Sequence, residues 1–220
     1  MITLRRLLAL ACLLLLNSGC VAFTLSTLAE KPEKPWLAAN SIAAEAVISI
    51  TGDKPVSGRA LILAKSPAYF RIDVKGAFGA TAALLVSDAK SITISSGGNT
   101  SVYAKGQNNP YIPYGFTPDE LVTLLLGAKN VDTASIKTTF KDFDVTTDAN
   151  GNIIALKKQG DGEQNFNLLL SDFKNTSGAS FPSSITIEDG YKTISIRYTK
   201  IEVNPDISND SFAVPAPEPK

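Results

Sequence analysis

Beyond residue 41, most of the chain alternates between apolar and polar side chains with a period of two, the pattern of half-buried β-strands. In the clearest example, Phe70, Ile72 and Val74 alternate with charged residues. The other predicted strands are 47–50, 56–65, 81–86, 91–95, 101–105, 138–146, 153–158, 166–170, 184–188 and 193–203. Most of the connections are short and rich in Gly, Asn or Asp, so neighbouring strands should pair antiparallel.

One segment has the signals of a helix instead. Thr117 is a good N-cap, Pro118 suits the first helical position, Glu120 completes a capping box, and Gly127 ends the segment. Three leucines share one face: Leu121, Leu124 and Leu125. A short apolar helix among strands either covers the sheet or packs as ordinary core, and the sequence leaves both readings open.

About ten short strands and one capped helix predict a mainly β protein, built as a strongly curved antiparallel sheet or an incomplete barrel. No composition shift divides the strands into two domains. We therefore predict one folded domain over 41–205, preceded by a tether over 20–40 and followed by a Pro-rich tail over 206–220. Trp36, in the tether, is either a membrane-interface residue or a lid on the barrel.

The first nineteen residues have the pattern of a secretory signal. Arg5 and Arg6 precede a Leu-rich run, and small residues precede Cys20. This arrangement resembles a bacterial lipobox, although Asn17 stands where lipoboxes usually carry Leu, Val or Ile. The resemblance implies cleavage before Cys20 and a lipid anchor on it, and the absence of Asp after Cys20 favours the outer membrane. The alternative is an ordinary signal peptide with a chance cysteine.

The composition argues against several classes of function. Lys+Arg and Asp+Glu both number 21, so no strong charge points to nucleic acid. The chain has no histidine, and Cys12 would be removed with the signal, so Ser–His catalysis, disulfides and thiol metal ligands are not expected. The sequence offers no positive evidence for an enzyme, a metal or a cofactor other than a covalent lipid on Cys20. The acidic and amide residues over 142–152 lack calcium-loop spacing and indicate a solvated hairpin.

The loop Gly76-Ala77-Phe78-Gly79 joins two predicted strands and holds a large apolar residue between glycines. Hairpin loops usually carry polar residues because they face water. Phe78 either contacts an apolar partner outside the fold or turns back onto the sheet as core.

The order of these segments resembles the outer-membrane lipoprotein receptor LolB and, more loosely, its soluble partner LolA. The shared pieces are the lipobox, Gly58 before a Ser-Pro turn, the apolar loop, the capped helix ending at Gly127, and Phe181-Pro182 before the last long hairpin. The resemblance implies an incomplete, unclosed antiparallel β-barrel with short helices covering its mouth, and a cavity for acyl chains. It also implies that Phe78 occupies the position of an exposed apolar residue that helps to insert cargo into the membrane.

On this basis we expect a monomeric lipoprotein on the periplasmic face of the outer membrane. It would accept acylated lipoproteins from a LolA-like periplasmic carrier and insert them into outer-membrane lipid, without contacting nucleic acid. Ten residues are candidates for the cavity lining: Phe70, Ile72, Val74, Leu121, Leu124, Leu125, Ile185, Ile187, Ile194 and Ile196. The alternative is an anchored envelope-assembly protein of the same fold that binds a protein partner and transfers no lipoproteins.

Overall fold

The structure is a computed structural model, and it describes residues 39–52, 55–76, 79–107, 116–127, 133–159, 165–188, 190 and 192–214. The predicted signal, the anchor residue Cys20, Trp36, and the loop residues Ala77 and Phe78 lie outside the described residues. The predictions made for them therefore stay predictions.

The described strands form a single antiparallel sheet of eleven strands that does not close on itself, which confirms the predicted fold class. The strands are β1 (Ser41–Thr51), β2 (Val56–Lys65), β3 (Tyr69–Lys75), β4 (Thr81–Asp88), β5 (Ser91–Ser96), β6 (Asn99–Ala104), β7 (Asp144–Thr147), β8 (Ile153–Gln159), β9 (Asn165–Thr176), β10 (Ala179–Glu188) and β11 (Thr193–Val203). Two meanders, β1–β6 and β7–β11, meet where β1 pairs with β11, so that β6 and β7 form the two edges.

Helix α1 (Pro118–Leu125) begins with the predicted capping box. The Thr117 backbone N–H donates to Glu120 Oε2 at 2.6 Å, and the Glu120 N–H donates to Thr117 Oγ1 at 3.3 Å. Gly127 follows in a left-handed conformation with φ of +74°, as expected for a glycine that ends a helix. The local sequence therefore determined both ends of α1.

The residue pattern did not place the second helix, α2 (Thr133–Thr139), and the strand predicted over 138–146 is wrong in its first half. β-Branched Thr and Ile residues made this segment look like a strand. Ile136 and Phe140 lie four residues apart and are 3% and 1% exposed, and helical spacing places both in the core. Tertiary packing thus overrides the local preference.

The two faces of the sheet are covered differently. Helices α1 and α2 contribute to the core on one face, called here the inner face. On the outer face, a segment over 204–214, the C-terminal strap, buries Ile207 and Phe212 against β3 and β4. Arg71 Nη1 donates to the carbonyl oxygen of Ala213 at 3.0 Å, and Lys65 Nζ donates to that of Ile207 at 2.9 Å. The alternating face of β3 that looked solvated in the sequence is therefore partly covered.

Candidate functional site

The inner face is a continuous apolar surface built by strand alternation and cross-strand register. Ile48 pairs with Ile196, which pairs with Ile185, and Ile50 pairs with Ile194, which pairs with Ile187. On the other side of β2, Ile72 pairs with Leu85, and Leu85 pairs with Ile94. Because directly paired residues project from the same side of a sheet, the strand residues predicted to line a cavity do share one face.

This face changes in character from one end of β1–β5 to the other. At one end, which we call the closed end, the inner positions are buried: Ile42, Ala64, Phe70, Ser87 and Ile92. Toward the opposite end, the open end, the inner positions of the same strands are half-buried: Ile48, Ile50, Ile72, Val74, Ala83, Leu85 and Ile94. On these five strands, the inner side chains at the closed end are therefore buried, and apolar side chains become partly accessible toward the open end.

Helix α1 covers the closed end by crossing the sheet. Near its first turn, Asp119 Oδ2 lies 3.0 Å from Lys105 Nζ, just after β6. Beyond its last turn, a Cβ on Gly127 would lie 2.8 Å from the backbone oxygen of Ser180 in β10. Between these ends α1 contacts β2 and β3.

The ten predicted lining residues divide between core and partly accessible surface. Phe70, Leu124, Leu125 and Ile185 are buried in the main core cluster. The others are half-buried: Ile72, Val74, Leu121, Ile187, Ile194 and Ile196. The leucines of α1 thus pack as core while the helix covers the sheet, so the two readings left open by the sequence both describe it. Whether any of the ten contacts a ligand stays a prediction.

The loop between β3 and β4 lies at the open end of the inner face. Its described part is tight, because the Gly76 N–H donates to the Ala80 carbonyl at 2.9 Å and Gly79 has φ of +79°. Gly58, next to this loop on β2, is required by close packing, since a Cβ there would lie 2.9 Å from the backbone oxygen of Lys75.

Sequence reasoning missed Tyr198, which follows Ile194 and Ile196 on β11. Its register partner Ala46 and Tyr198 itself both belong to the inner core, and Tyr198 is 7% exposed. None of the described residues forms a hydrogen bond with its buried hydroxyl. Burial also raises the pKa of Tyr198 well above its usual value, so the phenol stays protonated. The sequence signal that could have identified Tyr198 is its phenol hydroxyl at a position of β11 that continues the alternation of Ile194 and Ile196.

A groove of about 1060 Å³ lies on the outer face, away from all ten predicted residues. Its walls include the charged side chains of Glu45, Arg59 and Lys75, as well as Leu61, which is 47% exposed. Such a mixed lining suits a polar partner better than an acyl chain, which favours apolar walls.

The described residues contain no group of three or more acidic, His or Cys side chains that could hold a metal ion. In the turn over 148–152, Asp148 instead accepts hydrogen bonds from the Asn152 side chain and from the backbone N–H groups of Asn150 and Asn152. These bonds, the Asn152 side chain first, hold the pKa of Asp148 below its usual value. None of the helices among the described residues is long enough and apolar enough to cross a membrane.

No family model and no curated protein matches the sequence. Solved structures do match the fold. A LolA superfamily protein from Nitrosomonas europaea aligns with a TM-score of 0.53 and 9% identity, over 81% of this chain and 92% of that one. A domain provisionally named an outer membrane lipoprotein-sorting protein, from Vibrio parahaemolyticus, aligns with a TM-score of 0.53 and 7% identity, over 82% and 91%. A DUF1329 family protein from Desulfovibrio piger gives 0.50 and 9%, over 80% and 90%. The chain therefore has the fold of the LolA superfamily, as the resemblance implied.

Proposed function

We propose that this chain binds the acyl chains of lipoproteins on its inner face and helps to insert them into the outer membrane. One observation carries the proposal: half-buried apolar side chains gather at the open end, beside the loop that contains Phe78. Burying a methylene group contributes about 0.8 kcal/mol, so an acyl chain that covers several of these side chains would bind without polar chemistry. The shared fold supports this assignment.

The proposal has two further parts that rest on residues outside the described ranges. Lipid on Cys20 would anchor the chain to the periplasmic face of the outer membrane, and a LolA-like periplasmic carrier would deliver the cargo. Phe78 would contact the membrane during insertion, since Gly76 and Gly79 hold its loop at the open end. No cofactor and no catalytic step are part of this function.

The first test is a transfer experiment. The chain carrying Cys20→Ser is mixed with a carrier–lipoprotein complex, and the movement of acylated cargo is compared with that of unacylated cargo. We expect only the acylated cargo to move. If neither cargo moves, acyl transfer is rejected, and the alternative of an anchored envelope protein that binds a protein partner becomes the better account.

Phe78 is tested separately, in the lipid-anchored chain. We expect Phe78→Glu to reduce insertion of cargo into vesicles at least about tenfold, because a charged group costs about 2.5 kcal/mol or more in a bilayer core. Transfer from the carrier should persist. Val102→Glu is the matched control, since Val102 on β6 is apolar and 63% exposed. Equal insertion by the Phe78→Glu chain and the control chain would remove Phe78 from the mechanism.

A further inference from the structure

Strands β10 and β11 are paired at the open end and separate toward the closed end, and a crevice lies in the resulting fork. Their pairing runs from Ser184–Arg197 to Glu188–Thr193, whereas β11 continues along β1 as far as Val203. The crevice has a volume of about 140 Å³. It is lined by Lys174, Thr176, Phe181, Ser183, Tyr198, Thr199, Lys200 and Ile201.

Tyr198 belongs both to the wall of this crevice and to the apolar core. Two other hydroxyls of the crevice are already engaged: Ser183 Oγ donates to the backbone oxygen of Asp172, and Thr199 Oγ1 donates to that of Glu45. The Tyr198 hydroxyl is buried and has no partner among the described residues. Burying a hydroxyl without a hydrogen bond is unfavourable, which indicates that a group outside the described residues satisfies it.

The surroundings restrict what this partner can be. The protonated phenol is a hydrogen-bond donor, and Phe181 and Ile201 are apolar walls that favour an uncharged acceptor on an apolar molecule. Lys174 and Lys200 are exposed and place positive charge at the rim. An acyl ester combines these features, because its chains are apolar, its carbonyl oxygen accepts one hydrogen bond, and an anionic group often lies a few bonds away.

We propose that the Tyr198 hydroxyl donates a hydrogen bond to the ester carbonyl of a bound diacylglyceryl lipid. This inference rests on the proposed function, because it assumes that acyl chains occupy the inner face. It adds that the protein recognises the ester group that links the acyl chains to glycerol, in addition to the apolar chains themselves. Diacylglyceryl esters occur both in lipoproteins and in phospholipids, and the two sources share this chemistry.

The test compares ester with ether lipids of equal chain length. The full chain is incubated with equimolar dipalmitoyl phosphatidylglycerol and its dihexadecyl ether analogue, and the lipids retained are measured by native mass spectrometry. We expect the unchanged chain to retain about three- to tenfold more ester than ether, as one hydrogen bond allows. Tyr198→Phe should bring this ratio close to one by lowering the amount of ester retained, while the ether is still retained.

Two controls keep this result specific. Tyr69→Phe removes a phenol hydroxyl on the outer face, where the ring packs against Phe212 at 5.5 Å between centroids, and it should leave the ratio unchanged. Tyr198→Phe should leave the melting temperature of the lipid-free chain unchanged or raise it, because the removed hydroxyl has no internal partner. A clear fall in melting temperature would instead identify a structural hydrogen bond and overturn the inference.

The outcomes also separate this inference from the proposed function. If ester and ether are retained equally by the unchanged chain, acyl binding stands and the Tyr198 hydrogen bond is rejected. If neither lipid is retained, the proposed function and this inference both fail. A second experiment replaces the phospholipid with a peptide that bears S-diacylglyceryl cysteine. The ligand whose retention falls more in the Tyr198→Phe chain identifies the source of the ester.

Discussion

The closed and open ends of the inner face are built from the same strands, yet they differ in what covers them. At the closed end, where α1 crosses the sheet, Phe70 is completely buried. Val74 lies on the same face of β3, four residues beyond Phe70 toward the open end, and it is half-buried. Ile50 on β1 is half-buried as well. Apolar alternation therefore creates a surface, and the placement of one helix decides which part of it becomes core and which part stays available.

The largest expected effect tests the closed end. Phe70→Ala should reduce the free energy of unfolding by about 3–5 kcal/mol, because Phe70 is completely buried and its removal leaves a cavity in the core. Val74→Ala on the same strand is the matched variant and should cost only about 1 kcal/mol, since its side chain already meets water. Urea unfolding measures both values, and equal losses would contradict the division of this face into two ends.

The next effect tests whether α1 is held at its far end. Gly127→Ala should reduce the free energy of unfolding by about 1–3 kcal/mol, because φ is +74° and the added Cβ would press on Ser180. Gly98→Ala is the control: φ there is +81°, but nothing lies within 4 Å of the added Cβ. The difference between the two variants isolates the contact between α1 and β10, and no difference would mean that this contact is unimportant.

The smallest effect on folding, but a clear one on binding, is expected at the open end. Replacing Ile50 and Val74 together by Thr should weaken acyl-lipid retention about thirtyfold, because each hydroxyl costs about 1 kcal/mol when a ligand buries it. Val86→Thr is the control, because Val86 is 2% exposed beneath the C-terminal strap on the other face. That change should lower the melting temperature and leave retention unchanged, whereas a loss of retention in the control chain would break the comparison.

The sequence predicted the features that depend on near neighbours. The period of two placed Phe70, Ile72 and Val74 on one face, and Thr117, Glu120 and Gly127 defined α1. Helix α2 was missed because the residues around Ile136 favour strand locally, and only contact with the core makes them helical. Tyr198 was missed as a candidate because a phenol in an isoleucine row looks like ordinary core until its hydrogen bonds are examined.

By itself the sequence determined which side chains share a face, where most strands begin and end, and that neighbouring strands would pair antiparallel. These properties follow from alternation, turn residues and helix caps, which act over a few residues. Only the tertiary structure decided that α1 crosses from Lys105 to Ser180, that the C-terminal strap covers Val86, and that β10 separates from β11 beside Tyr198. Those arrangements join residues far apart in the chain, and packing rather than local preference selects among them.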